Sequence, residues 1–436
     1  MAEVNAGAAG TSGSVWPKLL FLCVACYYWI TLTPFVDLSQ DPTLAKPAWW
    51  TLAVTVVIFL ALMAYALRPD LRNVIARPRL LLLLVFGWLL LTAALAPDPA
   101  NTIKRVAIAF TVCLSASAFL LLPKSEKQFS RLLGTVVFVV LALCYFGILF
   151  LPRLTIHQTD DFLQPNYPGL WHGIYVQKNE AGVVMVMFCF IGIYLASAWS
   201  RAVGVLIFVA SAIFLLKTGS KTSTLMLPMI LVLSYVFEHW RRLRALMVFG
   251  GVAALNLATV GVVAFPAVKA LIASVGIDPT YTARSDIWKL ALQTIGQSPI
   301  VGYGLQSFWQ SASLVHSDRG AFTWATHAVD AHNAYLDAAI TAGIPGLVLI
   351  IVWVLVTPLR DLRAIDAASN FTPLTRLFLR IWLFGIFLAC LESVFLANSG
   401  PTWFMLLVAM FGLRFQARYS LVPSLRPEIA RAPAFA

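Results

Sequence analysis

Long apolar runs separated by short polar turns are the first feature of the chain. Runs able to cross a hydrocarbon core as helices need about 17 to 25 residues. They fall near residues 19–36, 47–67, 80–96, 106–122, 131–151, 181–199, 202–216, 223–237, 245–266, 334–358, 377–397 and 402–414. The pattern predicts an all-α polytopic membrane protein of about twelve transmembrane helices. A long polar interval, 267–333, separates the ninth run from the tenth, and its spacing predicts an amphipathic helix over 283–295. The stretch HAVDAHNAYLDAAITAGIPG, His327 to Gly346, closes this interval and opens the tenth run. In it Leu336, Ala339, Ile340 and Gly343 recur at helical spacing, while Gly343 and Pro345 read as stop signals. His332 is therefore expected at or near a helix N-terminus. The positive end of the helix dipole disfavours an imidazolium, leaving a neutral ring able to accept a proton.

Composition supports the same class. The chain has 436 residues, 60% apolar and only 11% charged, with mean hydropathy +0.84. A soluble globular domain holds about a quarter charged residues. Cytoplasmic loops of membrane proteins carry the positive excess. Placing both termini in the cytoplasm puts most of the 31 Lys and Arg on that side, among them Arg68, Arg72, Lys124, Lys127, Arg131, Arg201, Arg241, Arg242, Arg244, Arg360, Arg376 and Arg414. The net charge of +12 is thus a topology signal, and a nucleic-acid partner is not expected. The expected organisation is a flexible cytoplasmic tail over 1–18, transmembrane helices 1–9 over 19–266, a large external loop over 267–333, transmembrane helices 10–12 over 334–414 and a cytoplasmic tail over 415–436. The first eighteen residues lack a basic segment, so a retained first span is expected in place of a cleaved signal peptide. All six cysteines, Cys23, Cys26, Cys113, Cys144, Cys189 and Cys390, lie in apolar runs and read as small packing residues, with no disulfide framework and no zinc spacing.

Candidate chemistry gathers on the external side. Lys104 and Arg105, at the mouth of the fourth span, either meet an anionic group or reach lipid headgroups. WHGIYVQKNEAG, with Trp171, His172, Tyr175, Lys178 and Asn179, mixes aromatics, amides and a cation in a way that suits sugar hydroxyls and ring faces, as an interfacial loop also does. KTGSKTS, Lys217 to Ser223, offers a phosphate seat of ammonium groups and free backbone N–H groups, or an ordinary turn; it lacks the spacing of a Walker A loop. Arg284 falls in the first turn of the loop helix, where a cation is disfavoured, which points to an anionic partner: a substrate or Asp286. His327, Asp330 and His332 are close in sequence, but no ligand motif accompanies them, so a base is a better use of His332 than a metal site. Asp337, Arg380 and Glu392, in or beside spans, each require a polar cavity or a neighbouring helix. EHWRRLR, Glu238 to Arg244, reads as a topology anchor touching anionic lipid.

KTGSKTS after a membrane helix, then Arg284-Ser-Asp-Ile-Trp288, Pro299-Ile-Val-Gly-Tyr-Gly304, and His332-Asn-Ala-Tyr-Leu336 followed by Gly343-Ile-Pro-Gly346 resemble in order and spacing the O-antigen ligase and polymerase family. WHGIYVQKN with SKTS looks closer to exopolysaccharide polymerases of the succinoglycan type than to lipid A-core ligases. The resemblance implies a membrane-embedded glycosyltransferase fold in the bacterial inner membrane, with its active site on the periplasmic side. It implies an inverting transfer of a glycan from an undecaprenyl-pyrophosphate carrier to an acceptor hydroxyl, with no cofactor and no metal. It gives catalytic roles to His332 and Arg284 and pyrophosphate binding to basic residues, Arg284 with Lys221; the residue pattern adds Lys217 to the expected pyrophosphate contacts and makes Trp171, Lys178, Asn179, Trp288, Tyr303 and Asn333 the expected glycan contacts. Many ligases have arginine where this chain has Lys221, so a point-charge contact replaces a bidentate one. The implied partners are the lipid-linked donor, a glycan or lipid A-core acceptor, the bilayer, and a chain-length regulator or export machinery. A transporter or lipid flippase is the competing class. It predicts charges and broken helices near the bilayer midplane and repeated halves, whereas here the spans are largely uncharged and no repeat is evident.

Overall fold

The computed structural model describes residues 15–30, 33–40, 49–72, 80–162, 164–281, 284–315, 325–397 and 400–418. Most of both expected tails lies outside these residues, as do Phe322 and Trp324 of the polar interval. Each of the twelve predicted runs is helical. In chain order they are α1 (Trp16–Trp29), α2 (Trp49–Ala66), α3 (Leu80–Ala94), α4 (Pro99–Phe119), α5 (Glu126–Phe150), α6 (Lys178–Ala198), α7 (Arg201–Thr218), α8 (Lys221–His239), α9 (Gly251–Thr259), α10 (Pro266–Ser274), α11 (Arg284–Gln297), α12 (Ala334–Ile351), α13 (Thr357–Ala367), α14 (Pro373–Leu388) and α15 (Pro401–Arg418). Here α10 and α11 belong to the polar interval, and α13 continues α12 through a wide turn at Val352–Val356. Among the described residues six helical stretches are long and apolar enough to cross a membrane. The chain is an all-helical polytopic membrane protein.

Helix ends differ from the apolar runs where capping decides. Helix α4 begins at Pro99, ahead of the predicted 106, because Asp98 accepts the Asn101 N–H at 3.2 Å and Pro99 sits pre-organised in the first turn. Helix α14 stops at Leu388, so Glu392, expected inside a span to 397, lies beyond the helix end.

Gly343 and Pro345 break α12 without ending it. Gly343 adopts φ 66°, ψ −176°, and the helix resumes behind it. Such a break frees backbone groups that a membrane interior leaves unsatisfied unless protein covers them. The Pro299–Gly304 turn does so: Tyr303 and Gly304 N–H donate to the carbonyls of Ile340 and Thr341 at 2.8 and 2.9 Å, and Ile344 N–H donates to Pro299 O at 2.7 Å. Trp88 Nε1 donates to Ala342 O at 2.8 Å. A Cβ on Gly343 would sit 2.0 Å from Ile300 O, and one on Gly302 2.5 Å from Ile340 O. The two glycine motifs therefore form one interlocked joint that fixes the polar interval onto the bundle.

The bundle has two chemically distinct ends. At one, Ser130 at the start of α5 bonds Tyr194 at the end of α6, Arg376 bonds Glu238, and Arg244 bonds Asp366. This end also carries Lys124, Lys127, Arg131 and Arg201. At the other end, α6, α8, α12 and α15 begin, α14 ends, and α11 packs across. Helix α6 alone, 21 residues, separates the two by about 30 Å at 1.5 Å per residue.

Candidate functional site

Asn333 organises the second end. It caps α12, its side-chain oxygen accepting N–H bonds from Tyr335 at 3.0 Å and Leu336 at 3.1 Å. Its amide nitrogen donates to Asn256 Oδ1 at 2.8 Å and Cys390 O at 3.0 Å. One buried amide thus joins α12, α9 and the segment after α14. Asp337, in the first turn of α12, accepts from Trp309 Nε1 at 2.7 Å, from Ala331 N–H at 3.2 Å and from the Ser393 hydroxyl.

These anchors hold His332 one residue ahead of the cap, as the sequence leads one to expect. Its backbone is left-handed, φ 46°, and its N–H donates to Asp330 Oδ1 at 2.8 Å. His332 Nδ1 lies 3.1 Å from Glu392 Oε2 and 3.6 Å from Asp330 Oδ1. The tautomer protonated at Nδ1 donates to Glu392 and leaves Nε2 with a free lone pair. The other oxygen of Glu392 accepts Arg284 Nη2 at 2.9 Å, and Arg284 Nη1 donates to Leu391 O at 2.7 Å. Arg284 thus has an anionic partner in the protein, Glu392, where its helix position had pointed to a substrate or Asp286. Two of its five N–H donors are used in these bonds. Burial pushes the Glu392 carboxyl up, but the His332 hydrogen bond and the Arg284 charge outweigh it and hold Glu392 below the usual carboxylate range. Side-chain exposures of 20% for Arg284, 22% for Glu392 and 30% for His332 leave all three reachable from solvent.

Lys178 and Lys221 complete the cluster. Lys221 starts α8 directly after the left-handed Gly219 and the extended Ser220, and Gly182 of α6 packs against Ser220 and Ser223. Lys178, in the first turn of α6, is close enough to both Lys221 and Glu392 for their charges to interact. Its ammonium also lies 4.5 Å from the centre of the Tyr167 ring. Beside them is a cavity of about 200 Å³ whose walls include Asn179, Glu180, Asp330, Glu392, Thr402 and Trp403. The indole N–H of Trp403 is buried without a partner among the described residues.

Other predicted residues fall elsewhere. Trp288 is fully buried and its indole donates to Ala331 O at 3.0 Å, so it positions the His332 segment and has no surface to offer a glycan. Asn333 is likewise fully buried with its amide committed to the protein. Tyr303 belongs to the α12 joint and bonds Gln297 at 3.3 Å. Trp171 packs on Tyr145 and Phe214, and its backbone N–H donates to Lys217 O. Lys217 itself is exposed in the last turn of α7, where a cation complements the helix's negative end. Arg105 binds the carbonyl of Gln306. Glu392 was legible as a charge needing a partner, but its central position was not: it joins residues 60 and 108 positions away in sequence.

The chain is 30% identical over 199 residues to the exopolysaccharide production protein ExoQ of Rhizobium meliloti (strain 1021). That match covers 41% of this chain and 43% of the relative, so the chain spans under half of that protein's length in the aligned part. A family model described as O-antigen ligase matches residues 206–351, a stretch that contains Lys217, Lys221, Arg284 and His332.

Proposed function

We propose that the protein is an inverting glycosyltransferase that moves a glycan from an undecaprenyl-pyrophosphate carrier to an acceptor hydroxyl, polymerising exopolysaccharide or O-antigen repeat units. The single observation that carries this reading is the convergence of Arg284, Glu392 and His332 beside Lys178 and Lys221. Pyrophosphate is a good leaving group, so the chemistry needs cations where charge builds on the departing oxygen and a base for the acceptor proton. Arg284, with three donors unused among the described residues, and the two lysines meet the first need; His332 Nε2 meets the second. The acceptor oxygen bonds to the anomeric carbon as the carbon–oxygen bond to pyrophosphate breaks. The proton passes to His332, and the resulting imidazolium is stabilised by Glu392. Direct displacement inverts the anomeric centre without a covalent intermediate.

Charge divides the site between the two substrates. The cavity wall carries Asp330 and Glu392, whose charges repel a diphosphate, and with Glu180 it offers oxygens that accept hydrogen bonds from sugar hydroxyls, so the acceptor belongs there and the donor phosphates on the lysine side. At about 200 Å³ the cavity is smaller than the roughly 300–1,000 Å³ of pockets that enclose whole small molecules, and suits the end of a longer glycan. In this reading the site end is periplasmic, the basic end is cytoplasmic, and the bundle lies in the bacterial inner membrane. The O-antigen ligase match favours a second reading within the class, transfer to lipid A-core. Reconstituted protein given undecaprenyl-pyrophosphate repeat units and, separately, lipid A-core tests both. Longer lipid-linked chains support polymerisation, and glycosylated lipid A-core supports ligation. Release of no undecaprenyl pyrophosphate with either acceptor would remove the proposal.

A further inference from the structure

At the opposite end of the bundle, α8 and α14 leave between them a cavity of about 330 Å³ whose walls include Ser234, Tyr235, Glu238, His239, Arg376 and Arg380. Arg376 is satisfied within the protein: its Nε lies 2.9 Å and its Nη2 2.5 Å from the oxygens of Glu238. Arg380, one turn deeper in α14, is not. Among the described residues its one hydrogen bond runs from Nε to Ser234 Oγ at a long 3.4 Å, and no carboxylate is within ion-pair distance. The nearest candidate, Glu238, already has both oxygens on Arg376. Four of the five donors of this half-buried guanidinium on the cavity wall thus have no partner among the described residues, between apolar helices where an uncompensated cation is expensive.

The surroundings indicate what compensates it. Tyr235 is 65% exposed and forms one wall, with the His239 ring against it at 4.1 Å. From Tyr235 an outward apolar stripe runs along α8 through Val232, Met229 and Leu225, at spacings of three and four residues and with exposures of 65%, 42% and 71%. A cationic socket at the end of a bare apolar stripe matches a phosphoryl group joined to acyl chains. Arginine is well suited to that anion because its planar fork meets two phosphate oxygens at once.

We propose that this cavity is a binding site for the phosphoryl group of an anionic membrane lipid, held by Arg380, with the acyl chains along the α8 stripe. The inference is independent of the transferase reading, since it uses none of the residues at the other end.

The test uses the full-length protein purified in mild detergent. Its melting temperature is measured with added phosphatidylglycerol, phosphatidylcholine or inorganic phosphate, for wild type, Arg380→Gln and Arg380→Lys. Phosphatidylglycerol is expected to raise the melting temperature of wild type by several degrees and phosphatidylcholine to do less. Arg380→Gln should lose the increment and Arg380→Lys retain part of it. An equal shift with inorganic phosphate alone would overturn the lipid as the source of the phosphoryl group. An undiminished phosphatidylglycerol shift in Arg380→Gln would overturn the site itself. Should Arg380→Gln fail to fold, native mass spectrometry of wild type decides: phosphatidylglycerol retained in preference to phosphatidylcholine supports the site, and no preference overturns it.

Discussion

Replacing Glu392 by Gln keeps the side chain's shape and removes its charge. The carboxylate receives Arg284 Nη2 at 2.9 Å and His332 Nδ1 at 3.1 Å. Both are bonds to a charged group, worth roughly 1.5–3 kcal/mol each. A glutamine has one acceptor oxygen, so it keeps at most one of the two, and its NH₂ faces either a guanidinium or an imidazole. If His332 responds by offering its lone pair at Nδ1, the wrong nitrogen faces the substrate. Loss of one to two such bonds at about 1.4 kcal/mol per tenfold corresponds to a fall in kcat of about 10- to 10⁴-fold, which overlaps the roughly 10²- to 10⁴-fold that a positioned base contributes. The assay is transfer from lipid-linked repeat units in proteoliposomes, with the melting temperature measured in parallel so that unfolding is not read as lost chemistry. Because Glu392 lies below the usual carboxylate range, it is charged throughout the neutral region. Its contribution is present above the ordinary carboxylate pKa and is lost as pH falls through its lowered value; in the Glu392→Gln protein that acid limb of stability should disappear. A well-folded Glu392→Gln protein with an unchanged rate would refute the view that this carboxylate orients the base.

Other outcomes follow from the same geometry. Arg284→Lys cannot span Leu391 O and Glu392 with one fork, and kcat/KM for the lipid-linked donor should fall by roughly 10- to 100-fold, one charge-assisted bond's worth, in the same proteoliposome assay. Gly343→Ala forces φ 66° on a residue with a Cβ and places that atom 2.0 Å from Ile300 O; strain of about 1–3 kcal/mol plus a similar overpacking cost should be visible as a lowered melting temperature or loss of folded protein. His172 is held down to about 4 by burial and by neighbouring His157, against its bond to Tyr175 O and the charge of Asp161. The unfolded chain therefore binds more protons between about pH 4 and 6.5, so stability is full above 6.5 and declines towards 4, by up to about 3 kcal/mol at roughly 1.4 per pKa unit. Thermal melts across that range should show the decline, flattened in His172→Gln.

The membrane architecture was legible because a helix that must cross lipid needs a long apolar run: each of the twelve runs contains helix, and six helical stretches among the described residues are long and apolar enough to cross. The break at Gly343 was not legible as a joint. Glycine and proline signal that helical geometry stops, but only the bonds from Tyr303 and Gly304 to Ile340 and Thr341 reveal that the chain resumes beyond it. Within the site, Arg284 and His332 were readable from the helix termini they occupy. Their common partner was not, since Glu392 arrives from beyond α14 through tertiary packing alone. Trp288 misled for the opposite reason: aromatic side chains suit sugars and cores equally, and only its complete burial and its bond to Ala331 O decide between them.

The central claim, that the imidazole of His332 takes the acceptor's proton, is tested most directly by single-turnover transfer from an undecaprenyl-pyrophosphate-linked glycan in proteoliposomes, comparing wild type with His332→Ala at matched amounts of folded protein. The account predicts that donor binding persists through Arg284 and the two lysines while transfer falls by about 10²- to 10⁴-fold. Transfer by His332→Ala at the wild-type rate would contradict it.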